Sequence, residues 1–209
     1  MNETHRGKFI SIHGIDGTGK TTTTQEVVRK LSEDGIPVIN YDTHKETINN
    51  PHEQAKNKID RSGSLEEKLA VYLESMMFHS AEIDRLLSQG FHVVKSRYLD
   101  DIKAHFSQLG IPKEKVKEFE LKFPMVQPDL KVILILDETE RRKRIDMRGI
   151  LDDRDVEEKT SETRLGFLED YLFKAAKEAP VGSVLHIDTS MNSVNEVVKK
   201  IVDHLLKDL

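Results

Sequence analysis

Gly14-Ile15-Asp16-Gly17-Thr18-Gly19-Lys20-Thr21 fits the pattern G-x-x-x-x-G-K-[ST]. The apolar run Phe9-Ile10-Ser11-Ile12 precedes it, and a helical pattern from about Lys20 to Glu33 follows. Strand, glycine-rich turn and helix in that order decide the fold. Glycines let the backbone curl until successive N–H groups point inward at phosphate oxygens. The helix adds its positive N-terminal end. In this pattern Lys20 reaches the β- and γ-phosphates and the Thr21 hydroxyl is a ligand for Mg²⁺. The whole loop, Gly14 through Thr22, is therefore the candidate site for a nucleoside triphosphate.

Outward from the loop, short apolar runs alternate with longer helical patterns. Ile36–Tyr41 reads as a second strand, Phe91–Val94 as a third, Leu130–Leu136 as a fourth and Val184–Ile187 as a fifth. The fourth is nearly continuous in apolar residues, as a strand buried on both faces should be. Helices are expected over Leu65–Gln89, over 98–122 with a break at Gly110-Ile111-Pro112, over Glu138–Met147, up to about Lys177, and over Val194–Leu206. Five strands separated by helices imply an α/β fold: a parallel five-stranded sheet covered on both faces. Residues 42–63 are polar and carry no clear pattern. The arginine-rich stretch 141–155 reads as a small lid on a single domain spanning 1–209.

Composition narrows the function. The chain has 209 residues, no cysteine and a formal net charge of -5. Disulfides, thiolate metal sites and cysteine nucleophiles are excluded. The acidic balance argues against a general nucleic-acid or anionic-membrane binder. No apolar run reaches the roughly 20 residues needed to span a bilayer, and the first residues lack the apolar segment of a secretory signal. A cytoplasmic protein is expected. Nine histidines lack metal spacing; His92 and His105 read as packing or surface residues. Asn57-Lys58-Ile59-Asp60 matches a guanine-reading string, but no apolar strand precedes it and it follows the loop too closely. Small kinases remain.

Several further stretches carry a resemblance. Ile12-His13 with the loop and Thr22, then Val93-Val94-Lys95-Ser96-Arg97-Tyr98, then Gln127-Pro128-Asp129-Leu130, then Arg144, Arg148-Gly149 and Asp153-Arg154 are similar, in order and spacing, to motifs of the thymidylate kinase family. The resemblance implies a P-loop NTPase-like three-layer fold, a homodimer, and transfer of phosphate from ATP to dTMP with Mg²⁺. It assigns Asp16 to the acceptor sugar and Tyr72 to stacking on the acceptor base, while Arg97, at the end of the third strand with a planar fork, suits the acceptor phosphate and Tyr98 packs at the site's edge. Arg148 and Arg154 become lid cations beside the catalytic Lys20 and Arg97, and Arg144 a group at the donor adenine. Asp137, with Glu140 three residues on, reads instead as a helix cap.

The pattern also departs from the family. Ser96 replaces its Asp before Arg-Tyr, His13 its Glu before the loop, and Met76 an arginine that reads thymine. Lys45 stands where an arginine grips the acceptor phosphate. Asp100 or Asp101 is a candidate to replace the missing carboxylates. Two other functions fit the same loop. One is a nucleoside or small-molecule hydroxyl kinase with Asp42 as general base; the other is a nucleotide-binding relative without catalysis.

Overall fold

All five residues of β1 (Phe9–His13) are buried, because this strand lies at the centre of the sheet. In the computed structural model the described residues are 5–52, 55, 59, 63–122, 124–147, 170–174, 177, 180 and 182–207. After β1 come α1 (Lys20–Glu33), β2 (Val38–Asn40), the one-turn α2 (Tyr41–His44), α3 (Leu65–Ser88) and β3 (His92–Ser96). Then follow α4 (Leu99–Gln108), α5 (Lys113–Lys122), β4 (Leu130–Ile135), α6 (Glu138–Met147), β5 (Val184–Asp188) and α7 (Val194–Leu206). The sheet order is β2-β3-β1-β4-β5, and every pair is parallel. From β1 the chain crosses to the β2 edge and then winds back the other way, so connections leave adjacent β1 and β3 in opposite directions and a crevice opens beyond their carboxyl ends.

Alternation along the strands sorts the core into two layers. Ile10, Ile12, Val94, Val132 and Leu134 pack with Val27 and Leu31 of α1 and with Val197 and Ile201 of α7. Phe9 and Val93 face the other way, toward Leu69, Leu73 and Leu87 of α3 and Leu99 and Phe106 of α4. Each such side chain contributes about 1.5–3 kcal/mol on burial. That exceeds the helix propensity lost by the poor helix formers Thr21–Thr24 at the start of α1, of which Thr23 and Thr24 are themselves buried.

Two elements differ from the sequence pattern. The second strand ends at Asn40, because its side chain accepts a hydrogen bond from the Asp42 N–H at 3.1 Å and turns the chain into α2. Tyr41 is thereby buried, with its hydroxyl 3.0 Å from His79 Nδ1. The third strand runs further than expected, since Ser11 pairs with Lys95 and Ile12 with Ser96. Period-two alternation then puts Lys95 on the face that carries Phe9 and Val93.

That face holds a polar row. Lys95, Ser11 and Lys131 lie side by side across β3, β1 and β4. The first turn of α4 covers it with two adjacent carboxylates. Lys131 Nζ donates to Asp100 Oδ2 at 2.6 Å, and His13 Nδ1 lies 2.6 Å from Asp101 Oδ2. His13 Nε2 meets Ser11 Oγ at 2.8 Å. Asp100 and Asp101 also sit at the positive end of α4, which favours their charged forms.

Candidate active site

The loop between β1 and α1 depends on its glycines. Gly14, Gly17 and Gly19 have φ of 146°, 95° and 91°. A Cβ on Gly14 would stand 2.6 Å from the Leu134 carbonyl oxygen, and one on Gly17 would stand 2.9 Å from Arg141 Cγ. Thr18 closes the turn by donating its hydroxyl to the Ile15 carbonyl at 2.8 Å.

Lys20 is buried, and its Nζ donates to the Ile15 carbonyl and to Asp16 Oδ1, each at 2.9 Å. Burial, and then the nearby Arg97 guanidinium, lower its pKa, while Asp16 opposes them. Arg97 follows β3. Among the described residues it is the one non-glycine with positive φ, at 60°. That conformation costs on the order of 1–2 kcal/mol. It is fixed by the Arg97 N–H, which donates to the Ile12 carbonyl at 2.9 Å. The guanidinium then reaches back across the sheet to the Asp16 carboxylate. Asp16 is thus held between two cations, at the point where the loop and the end of β3 converge.

The loop stands between two cavities. A cleft of about 780 Å³ has Thr21, Ser96, Arg97 and Asp101 in its wall, together with Tyr72, Met76, His105 and Phe106 from α3 and α4. A smaller cavity of about 340 Å³ is lined by Gly17, Thr18, Gly19 and Thr22 of the loop and by Arg144, Thr189 and Asn192. Arg144 Nη2 donates to the Thr189 carbonyl at 2.8 Å, which fixes its side chain over the end of β5. Two pockets meeting at one phosphate loop suit a reaction that passes a phosphoryl group between two ligands.

The other expected site residues fall as follows. Tyr72 lines the large cleft and packs edge-on against Phe106, with ring centroids 5.5 Å apart. Tyr98 is a buried wall residue, edge-on to Phe9 at 4.9 Å. Its hydroxyl pKa is pushed up to about 12, chiefly by burial, so it holds its proton. Arg148 and Arg154 lie outside the described residues, as do Asn57, Lys58 and Asp60 of the guanine-like string. Arg141, counted with the lid in the sequence, is fully buried. Its Nε and Nη2 donate to Glu138 at 2.6 and 3.0 Å, and its stem packs under Gly17. Asp137 caps α6, accepting from the Thr139 N–H at 2.9 Å and the Glu140 N–H at 3.3 Å.

The structure separates Asp100 from Asp101. Asp100 is tied to Lys131, with Lys103 at 3.6 Å. Asp101 lines the cleft, and its Oδ1 is buried with no hydrogen-bond partner. Burial raises the Asp101 pKa, but His13 above all, with help from Arg97, outweighs it and holds the carboxyl below its ordinary value. Thr21 shares the cleft wall. A hydroxyl and an orphaned carboxylate oxygen suit a hard cation that keeps most of its waters. Among the described residues no three acidic or histidine side chains cluster as a metal site. Asp101 of α4 thus puts a carboxylate in the wall of this cleft, where positions 13 and 96 carry none.

Sequence reasoning named both Asp101 and His13 but did not pair them, since they lie 88 positions apart. It also missed Lys95 and the buried set Asn50, Ser75 and His79, in which Asn50 Nδ2 contacts Ser75 Oγ at 3.0 Å and His79 Nε2 at 3.1 Å. No local signal marks a polar residue as buried until its neighbours are known.

Sheet order, loop and the arginine after β3 define a P-loop phosphotransferase. The sequence profile of the thymidylate kinase family matches residues 12–201, and the chain belongs to that family. A probable thymidylate kinase of Archaeoglobus fulgidus is 28% identical over 203 residues, covering 95% of this chain and 96% of that one. A thymidylate kinase of Carboxydothermus hydrogenoformans is 32% identical over 178 residues, covering 78% and 84%. A probable thymidylate kinase of Pyrobaculum aerophilum is 28% identical over 208 residues, covering 93% and 97%.

Proposed function

We propose that the protein is an ATP-dependent nucleoside monophosphate kinase that converts dTMP to dTDP. The observation that carries this reading is the position of the phosphate loop between two cavities. The smaller cavity, with Arg144 in its wall, takes the ATP base, and the larger one takes the acceptor against Tyr72. Lys20 exchanges Asp16 for oxygens of the triphosphate tail. Arg97 makes the same exchange toward the acceptor phosphate, for which its planar fork is suited. Asp16, released from both cations, then accepts from an acceptor hydroxyl.

An ionised acceptor phosphate needs no strong base, so positioning and charge neutralisation suffice. Arg148 and Arg154 are the lid arginines in this reading, adding positive charge around the transferring group. Thr21 and Asp101 are the residues that hold Mg²⁺, which when bound neutralises phosphate charge. A cytoplasmic homodimer is part of the same proposal. Among the described residues no helix is long and apolar enough to cross a membrane.

The hydroxyl-kinase alternative is weaker. Asp42 Oδ2 already accepts from the Ser96 N–H at 2.8 Å, and Oδ1 has Lys95 at 3.5 Å and Lys45 at 3.7 Å. These contacts tie Asp42 to the end of β3 and to two lysines, and the family match does not favour a hydroxyl acceptor. ADP release measured with ATP over a panel of nucleosides and nucleoside monophosphates tests the proposal. Turnover with dTMP and none with nucleosides is expected; turnover with nucleosides alone would reverse it.

A further inference from the structure

Two lysines share the buried polar row, and their surroundings differ. Lys131, on one side of Ser11, has its Nζ 2.6 Å from Asp100 Oδ2. Lys95, on the other side, is only 5% exposed, yet its oxygen contacts among the described residues are the Ser96 carbonyl at 3.4 Å and Asp42 Oδ1 at 3.5 Å. Ordinary hydrogen bonds from nitrogen fall at about 2.7–3.2 Å, and an ammonium has three donors to satisfy. The Tyr41 ring, with its centroid 5.6 Å from Nζ, offers a weak further contact. Asp42 gives little, because it also serves the Ser96 N–H and Lys45. A buried cation this poorly paired is costly to keep unless something arrives to pair with it. Lys95 lines the large cleft, in the same wall as Arg97.

We propose that Lys95 grips the phosphate of the acceptor nucleotide, its ammonium donating to a non-transferring oxygen of the monophosphate. This rests on the acceptor being a nucleoside monophosphate bound in the large cleft. A phosphate brings the strong acceptors that Lys95 lacks, and the cleft is where the ammonium can meet one. Burial holds the Lys95 pKa below that of a free lysine, and a bound anion would raise it again. Lys45, the residue the sequence offered for this task, has a side chain 40% exposed, so water already solvates its charge. Lys95 therefore gives an affinity for phosphate without the side-chain freedom that a surface lysine loses on binding.

The test is calorimetric titration of dTMP and of thymidine into the wild-type protein and Lys95→Met, a substitution of similar length that removes a poorly paired charge. Lys95→Gln serves as the second variant if the first does not fold, with melting curves as the check. The expected result is a loss of at least about tenfold in dTMP affinity, with thymidine binding and the affinity for a non-hydrolysable ATP analogue unchanged. Unchanged dTMP affinity, or dTMP and thymidine weakened together, would overturn the assignment. If the wild-type protein itself makes no distinction between dTMP and thymidine, the acceptor reading falls first, and the role of Lys95 falls with it.

Discussion

Asp16 is a carboxylate inside a phosphate-binding loop, a place where negative charge should be unwelcome. Its contacts with Lys20 and Arg97 explain it: the carboxylate pairs with both cations. Lys20→Ala should then cut turnover at least a hundredfold, roughly 2.7 kcal/mol of barrier, in an ADP-release assay at saturating substrates. Rates within a few-fold of wild type would contradict the assignment. Asp101 carries a different expectation. Its carboxyl pKa is lowered on folding, so it contributes stability above its unfolded value, about 3.9, and loses it as pH falls through the folded value. Asp101→Asn should be less stable than wild type near pH 7 and should flatten the fall in urea midpoint toward pH 3. A variant that keeps the wild-type acid dependence would show that the carboxylate is not held by His13. At this scale the loop residues and Arg97 were legible because local pattern and geometry coincide. The His13–Asp101 pair was not, since its members meet only after β1 and α4 have packed.

Elements follow their own signals, and these were read with mixed success. Helix α3 begins with a reciprocal cap, in which the Ser64 N–H donates to Glu67 Oε2 at 2.8 Å and Ser64 Oγ accepts from the Glu67 N–H at 3.3 Å. Ser64→Ala should cost about 1 kcal/mol, or a fall of about 2–4 °C in Tm for a chain of this size. An unchanged Tm would mean that tertiary packing alone fixes where the helix starts. Gly17→Ala should leave the sheet intact but weaken binding of an ATP analogue at least tenfold, because φ of 95° and Arg141 Cγ at 2.9 Å both oppose a side chain there. Wild-type affinity would show that the loop can rearrange around a methyl group. Strand β4 was legible because burial on both faces leaves an almost unbroken apolar run. The ends of β2 and β3 were not. Asn40 stops one strand with its side chain, and a lysine and a serine extend the other where polar residues usually mark an end.

For the whole molecule, the order β2-β3-β1-β4-β5 puts the phosphate loop and Arg97 at the ends of adjacent strands and leaves a cavity on each side. The fold class was legible from the alternation of strands and helices alone. The two cavities were not, since they form from side chains of α3, α4, α6, α7 and the turn after β5 that are far apart in sequence. In the proposed reaction the loop serves both cavities in one transfer. Phosphorus NMR of the protein mixed with ATP, dTMP and Mg²⁺ tests it most directly. Equal amounts of ADP and dTDP should appear, growing together as ATP and dTMP are consumed. ADP formed without dTDP, or no change in either nucleotide, would contradict it.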